Sequence, residues 1–361
     1  MKHDWKYKKL GDICDKGSSN ISLNKIEDNI GEYALFGASG YVKDIDFYHN
    51  ETPYIGIVKD GSGCGRVNIY PAKSSLVGTM QYIYPKQNCD IKFLMYLLQS
   101  LDLSSLVTGA AIPHIYFKDY SKFSVPLPPL STQQSIVSEL DSLSKIIADC
   151  KETLKDYDAL EQSIFYDMFG DPVKNEKKWE VKKLGEIVTL SQGLAINSQT
   201  NKLIVEKSSI PLLRIKDMRE GTREIFIDDK NYPPACLATP DDIIYTRTGT
   251  LGLVFTGMYG IVHNNCFKVK LDKEVLNKVF FMKFVEIPMF KNNIIALSSR
   301  SSQPDITHKL FNAQNIILPP LSLQQTFASK IEAIEQMKVE TKKALQEAET
   351  LFQARMDYWF N

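Results

Sequence analysis

The group best spaced for chemistry is Gly61-Ser-Gly-Cys-Gly65, which follows the strand-like run Tyr54 to Val58. Backbone N–H groups of such a turn can hold a dinucleotide when a third glycine stands at position 66 and a helix opens directly afterwards. Position 66 is Arg66, and Arg66-Val-Asn-Ile-Tyr-Pro71 reads as a strand. A tight turn exposing backbone at a loop tip is therefore expected, with a related turn at Thr248-Gly-Thr-Leu-Gly252. Asn231-Tyr-Pro-Pro234 holds the letters of an amino-methyltransferase motif in the wrong order and reads as a loop. Five histidines (His3, His49, His114, His263, His308) are scattered, and six cysteines (Cys14, Cys64, Cys89, Cys150, Cys236, Cys266) fall singly, with no C-x-x-C pair. Reduced, mostly buried thiols and no metal site are expected. With no Walker loop, helicase motif or nuclease carboxylate cluster in the sequence, a self-contained enzyme is disfavoured. A stand-alone or fused DNA methyltransferase or restriction enzyme is the alternative reading, and a protein-binding coiled-coil scaffold a third.

If DNA is the ligand, the chemistry to look for is that of recognition. Guanidinium, amide and hydroxyl groups in loops can hydrogen-bond to base edges, while lysines meet phosphates. Candidates in the first half are Lys59, Ser62, Arg66, His114 and Lys118. The second half offers Arg214, Lys216, Arg219, Arg247, Thr248, Thr250, Arg300, Ser302 and Gln303. Ser298-Ser-Arg-Ser-Ser-Gln-Pro304 aligns with Val107-Thr-Gly-Ala-Ala-Ile-Pro113 and is expected to face DNA. For each residue the competing reading is a solvated surface charge. Lys174, Lys177 and Lys178 suit solvent or phosphate better than base readout.

The elements that must position these residues occur twice. Trp5-Lys-Tyr-Lys-Lys-Leu-Gly-Asp-Ile returns as Trp179-Glu-Val-Lys-Lys-Leu-Gly-Glu-Ile, offset by 174, and Leu127-Pro-Pro-Leu-Ser-Thr-Gln-Gln134 as Leu318-Pro-Pro-Leu-Ser-Leu-Gln-Gln325, offset by 191. This is a domain duplication, since solenoid units repeat every ~20–50 residues. After each Leu-Pro-Pro-Leu the pattern turns helical, with Ser131/Gln134 and Ser322/Gln325 spaced as capping boxes. Ile136, Leu140, Leu143, Ile147, Cys150, Leu154 and Tyr157 step alternately by four and three, a heptad seam. The helix is expected to stop near Phe169, with Gly170 as C-cap. Phe327, Ile331, Ile334, Leu345 and Leu351 keep much of that stripe in the second copy, interrupted by Lys338 and Thr341. Helices of ~38 residues would be ~57 Å long, and antiparallel pairing would relate the halves by a pseudo-two-fold axis.

Between the anchors the segments are mixed. Pro53–Val58, Arg66–Tyr70 and Gln81–Tyr84 read as strands and Ile91 to Leu106 as a helix. Asp242–Thr246, Leu253–Thr256 and Ile261 to Leu271 read as strands, with a helix near Lys273 to Ile287. The expected fold class is thus α+β (mixed α/β), in two similar domains, residues 1–130 and 171–321, joined by two long antiparallel helices, 131–170 and 322–361.

The net charge is zero over 361 residues, but it is unevenly divided: +1 for 1–130, −5 for 131–170, +5 for 171–321 and −1 for 322–361. Phosphates would meet the first and third segments, and the acidic helix something else. No apolar run approaches a membrane span, and the start lacks a secretory signal, so a cytoplasmic protein is expected.

In its arrangement, W-x-x-K-K-L-G-[DE]-I opening and P-L-P-P-L or I-L-P-P-L, S-x-Q-Q and a long helix closing each variable segment, the chain resembles the specificity subunit of type I restriction-modification systems. The likeness spans the chain, while the readable motifs cover about a third of it. It implies two target-recognition domains, each reading one half of a bipartite double-stranded DNA site. It also implies helices that act as spacer and as docking surface for two methyltransferase subunits, with motor-nuclease (restriction) subunits joining. S-adenosylmethionine, ATP and Mg are then expected only in the partner subunits.

Overall fold

The repeated anchors pair with one another. In the computed structural model, which describes residues 5–109, 113–298 and 304–361, Lys6–Lys9 runs antiparallel to Ser124–Leu127, and Glu180–Lys183 antiparallel to Asn315–Leu318. Each short ribbon brings the two ends of a variable segment together. Pro126 fits because a two-stranded ribbon has only edges, where a missing N–H costs no ladder bond. The chain forms two compact units, Met1–Thr153 with Thr341–Asn361, and Leu154–Glu340.

Each unit carries a four-stranded antiparallel sheet of the same order. In the first unit it runs Cys14–Ser18, Met80–Pro85, Tyr54–Val58, Val67–Tyr70. In the second it runs Val188–Gln192, Cys266–Leu271, Ile243–Thr246, Val254–Phe255. The central strands Tyr54–Val58 and Ile243–Thr246 are buried throughout, in keeping with their unbroken apolar runs. A second sheet in each unit contains one parallel pair, Leu35–Phe36 with Ser75–Leu76 and Leu212–Leu213 with Ile261–Val262.

The units differ after those strands. Tyr33–Gly37 turns straight back into Gly40–Ile45, whereas Ile210–Leu213 leads into a helix, Ile215–Glu220, and two further short strands. Most of the extra length of the second half lies in that insertion.

The long helices span Leu130–Phe169 and Leu321–Phe360. At the end of the first, Gly170 takes φ +75° and its N–H donates to Tyr166 O at 2.8 Å, as a C-cap glycine should. The capping boxes are not formed. Each helix already begins at the leucine before the serine, so Ser131 and Ser322 lie inside the first turn and cannot cap it. The carbonyls of Pro129 and Pro320 receive the N–H groups of Gln133 and Gln324 at 3.0 and 3.1 Å.

Those glutamines, one residue before the expected ones, are fully buried, while Gln134 and Gln325 are exposed. Gln133 Oε1 accepts from Asp90 N–H (2.8 Å) and its amide donates to Asn88 O and Pro128 O (2.9 and 2.8 Å). Gln324 repeats this with Asn277 N–H, Val275 O and Pro319 O (2.8, 3.0 and 2.8 Å). Asp90 and Asn277 in turn cap the helices Ile91–Ser100 and Lys278–Glu286.

Within each unit the segments of the two helices run antiparallel. In the first, Glu139 pairs with Arg355 and accepts from Trp359 Nε1 (3.0 Å), while Lys151 meets Glu349 (2.8 Å). Ile136, Leu140, Met356 and Phe360 are buried there against Phe93 and Leu97. In the second, Phe165 and Phe169 pack on Phe327 and Phe280, above Ile331 and Ile334. Leu143, Ile147, Leu154, Tyr157 and Leu345 are half-buried.

Leu351 does not join the packing. It is 49% exposed, because the stripe turns through Ala348, Phe352 and Met356, one position away. Lys338, read as a break in the stripe, is buried within it. Its ammonium lies 2.8 Å from both Asp158 and Glu161, and Lys283 meets Glu161 and Glu335 at 2.7 and 2.9 Å. No helix among the described residues is long and apolar enough to cross a membrane.

Candidate nucleic-acid interface

The glycine turns noted in the sequence occupy one backbone frame in the two units. After the central strand, the N–H groups of Lys59 and Asp60 donate to Thr79 O (3.0 and 3.1 Å), and those of Arg247 and Thr248 to Asn265 O (2.8 and 3.3 Å). Gly65 N–H closes the first turn on Val58 O (2.8 Å), and Gly252 N–H the second on Thr246 O (3.0 Å). Gly61, Gly63, Gly65, Gly249 and Gly252 all take positive φ, which a residue with a Cβ adopts only under strain. A facing segment then crosses each turn: Ile115 N–H donates to Lys59 O (3.0 Å) and Ile306 N–H to Arg247 O (2.9 Å).

The side chains on this shared frame differ. In the first unit Ser62 and Arg66 are exposed, and the Arg66 guanidinium donates to the carbonyls of Gly63 and Ser62 (3.3 and 3.4 Å). His114, on the facing segment, has Nδ1 3.7 Å from Asp60 and Nε2 2.6 Å from the Tyr116 hydroxyl; the Lys118 ammonium lies 5.0 Å from the Tyr116 ring centre. Lys59 lies 3.9 Å from Asp60. The structure thus gathers Lys59, Ser62, Arg66, His114 and Lys118 on one turn and the segment facing it.

In the second unit Thr250 is exposed and Thr248 half-buried. The buried Thr246 hydroxyl donates to Thr250 O (2.6 Å) and accepts from Leu253 N–H (2.8 Å), fixing the root of the turn. The Arg247 guanidinium grips Asp305 through Nε (2.9 Å) and Nη2. Arg214, Lys216 and Arg219 sit apart in sequence, on the helix Ile215–Glu220 and just before it. The strand end before them is tied to the loop that holds the turn: His263 N–H donates to Leu213 O (3.2 Å), and Asn265 O receives Arg247 and Thr248.

Arg214 is committed to the buried Asp217 (2.6 Å) and to Glu224 (2.6 Å), and Lys216 to Glu224 (3.0 Å). Burial opposes ionisation of Asp217, but hydrogen bonds from Arg214 and Thr222 hold it below the usual carboxylate range. Arg219 is exposed. Arg300, Ser302 and Gln303 lie outside the described residues.

The residues that sequence reasoning missed are the carboxylates that hold these bases: Asp60, Asp217, Glu224 and Asp305. Asp217 stands three residues after Arg214, a spacing that signals a pair on a helix turn. Asp305 is 58 residues from Arg247 and gives no local signal.

Burial pushes the thiols of Cys14, Cys89 and Cys266 up to about 12, which keeps them protonated and inert. All six cysteines are free. Among the described residues no group of three or more His, Cys, Asp or Glu is placed to hold a metal ion. Asn231 to Pro234 lies in a loop that ends in a short 3₁₀ turn, Pro234–Cys236.

Two units of one topology that share a turn and vary its side chains define a duplicated α+β protein. Residues 2–156 and 176–349 each match the family described as Type I restriction modification DNA specificity domain. The chain belongs to this family, as a specificity subunit with two of its domains. It is 21% identical over 380 residues to the Type I restriction enzyme MjaVIII specificity subunit of Methanocaldococcus jannaschii, covering 94% of this chain and 88% of that one. With the Type I restriction enzyme EcoKI specificity subunit of Escherichia coli K12 it shares 25% identity over 258 residues, 64% of this chain and 55% of the relative. In fold it is similar to the S subunit of a type I restriction-modification system from M. genitalium, with TM-score 0.67 at 16% identity over 99% and 96% of the two chains.

Proposed function

We propose that this chain is the non-catalytic DNA-recognition subunit of a type I restriction-modification complex. Each unit reads one half of a bipartite site with its glycine turn and facing segment, and the long helices set the gap between half-sites and dock two methyltransferase subunits. Motor-nuclease subunits join for restriction. S-adenosylmethionine, ATP and Mg belong to these partners.

The observation that carries this reading is the pair of matched turns. One hydrogen-bonded frame presents Ser62 and Arg66 in one unit and Thr250 in the other, as two readers of different sequences would. Exposed hydroxyls and a guanidinium are suited to base edges. In this reading Arg219 and the lysines add phosphate contacts, and Arg300, Ser302 and Gln303 complete the second reading surface. The net −5 of residues 131–170 suits a protein-facing role better than contact with phosphates.

Reconstitution with methyltransferase subunits, followed by mapping of methylated positions, tests this. A site with two specified parts around an unspecified gap is expected. Failure of every such complex to protect or methylate a bipartite site would reject the proposal, and S-adenosylmethionine binding by the isolated chain would favour a modification enzyme instead.

A further inference from the structure

Arg247 has the residue type of a base reader and stands beside an exposed turn, yet its geometry suits another task. Its Nε and Nη2 edge faces both oxygens of Asp305, which fixes the plane of the guanidinium, neutralises its charge and leaves the side chain 19% exposed. Meanwhile its own N–H and C=O are both engaged, with Asn265 and Ile306. The residue therefore joins three segments at one point: the turn, the His263–Asn265 loop and the segment Asp305–Ile306.

The first unit supplies an internal control. Lys59 and Asp60 make the same backbone bonds to Thr79 and Ile115, and the turn is again linked to the facing segment by an acid–base pair. There the polarity is reversed: the acid, Asp60, is on the turn and the base, His114, on the facing segment, 3.7 Å apart. What the two copies keep is a side-chain link between the turn and the facing segment, and what they exchange is which side carries the carboxylate. A base-reading role would not demand a side-chain partner at this same station of the facing segment in both copies.

Resting on the functional reading above, we infer that Arg247 and Asp305 are positioning residues for DNA readout by the second unit. They clamp the turn Thr248–Gly252 from its flank, as buried Thr246 does at its root, so that the exposed Thr250 meets base edges in one fixed pose. Gly249, at the tip with open space around it and φ +74°, lets the backbone approach DNA closely.

The test uses the full chain in its complex with methyltransferase subunits, comparing Asp305→Ala, Arg247→Ala and the exchange Arg247→Asp with Asp305→Arg. Affinity for the cognate site is measured against salt, and base preference is scored in each half-site. Each single variant is expected to weaken binding about tenfold and to blunt base preference in one half-site only. The dependence of log affinity on log salt should stay the same, because no phosphate contact is lost, and the charge exchange should restore most of the preference.

Three results would overturn the inference: a salt slope lowered by about one in Arg247→Ala, which marks a phosphate contact; preference lost at a single base and not recovered by the exchange, which marks direct reading; or single variants that behave as wild type. A wild-type complex without sequence preference would instead reject the functional reading itself, before any variant is made.

Discussion

Gln133 and Gln324 show how much one buried amide can hold. Each connects the start of a long helix to the cap of a shorter one by three hydrogen bonds with no solvent access. Truncation to alanine strands one N–H and two carbonyls, at ~1–3 kcal/mol for each group left unpaired. Gln133→Ala and Gln324→Ala are expected to lower the unfolding temperature clearly, and the exposed neighbours Gln134→Ala and Gln325→Ala hardly at all. Glu139 offers a pH-dependent counterpart. The hydrogen bond from Arg355 holds its carboxyl below the ordinary 4.5. Its contribution is present above that value and fades as pH falls through the lower folded one. The difference in unfolding temperature between wild type and Glu139→Gln should therefore be open at pH 7 and close under acid, as calorimetry would record. At this scale the sequence displayed the residue types and hid their commitments. Arg214, Lys216 and Arg247 look free until their carboxylates, some of them distant along the chain, are brought beside them.

Among elements, the long helices were the most legible. Phe169 and Gly170 marked the end of the first because an apolar stripe and a glycine together leave little choice. Strands with unbroken apolar runs, such as Tyr54–Val58, were legible too. Two-residue strands such as Ser75–Leu76 and Ile204–Val205 were not, since so short a run carries no period and forms only where a neighbour offers its edge. Nor was the helix Pro288–Ser298 read from the sequence, its apolar residues being spread around the axis. Lys338 marks the other limit of periodicity. A lysine at a seam position reads as a break, but Asp158 and Glu161 turn it into a buried ion pair. Lys338→Ala would leave Glu161 with Lys283 as its remaining partner, and a loss of ~3 kcal/mol is expected in denaturant unfolding. Replacing Lys338 and Glu161 together by apolar residues should cost much less.

For the whole molecule, the proposed reading makes the halves separable in function. Exchanging residues 1–130 for those of a relative should change one half of the recognised site and leave the other intact, as methylation mapping would reveal. Inserting roughly one helical turn near Lys151 should change the tolerated gap while both half-site sequences persist; altered half-sites with an unchanged gap would contradict the ruler role. One further consequence concerns the order of events during synthesis. The second unit is drawn from one uninterrupted stretch, Leu154–Glu340, while the first needs Met356, Phe360, Arg355 and Trp359 to cover Phe93 and satisfy Glu139. Although its strands leave the ribosome first, that earlier-made body stays unsealed until Thr341–Asn361 emerges. Nascent chains arrested before residue 341 should resist protease in their later portion while the earlier portion is still being cut, the reverse of the usual N-to-C order of maturation.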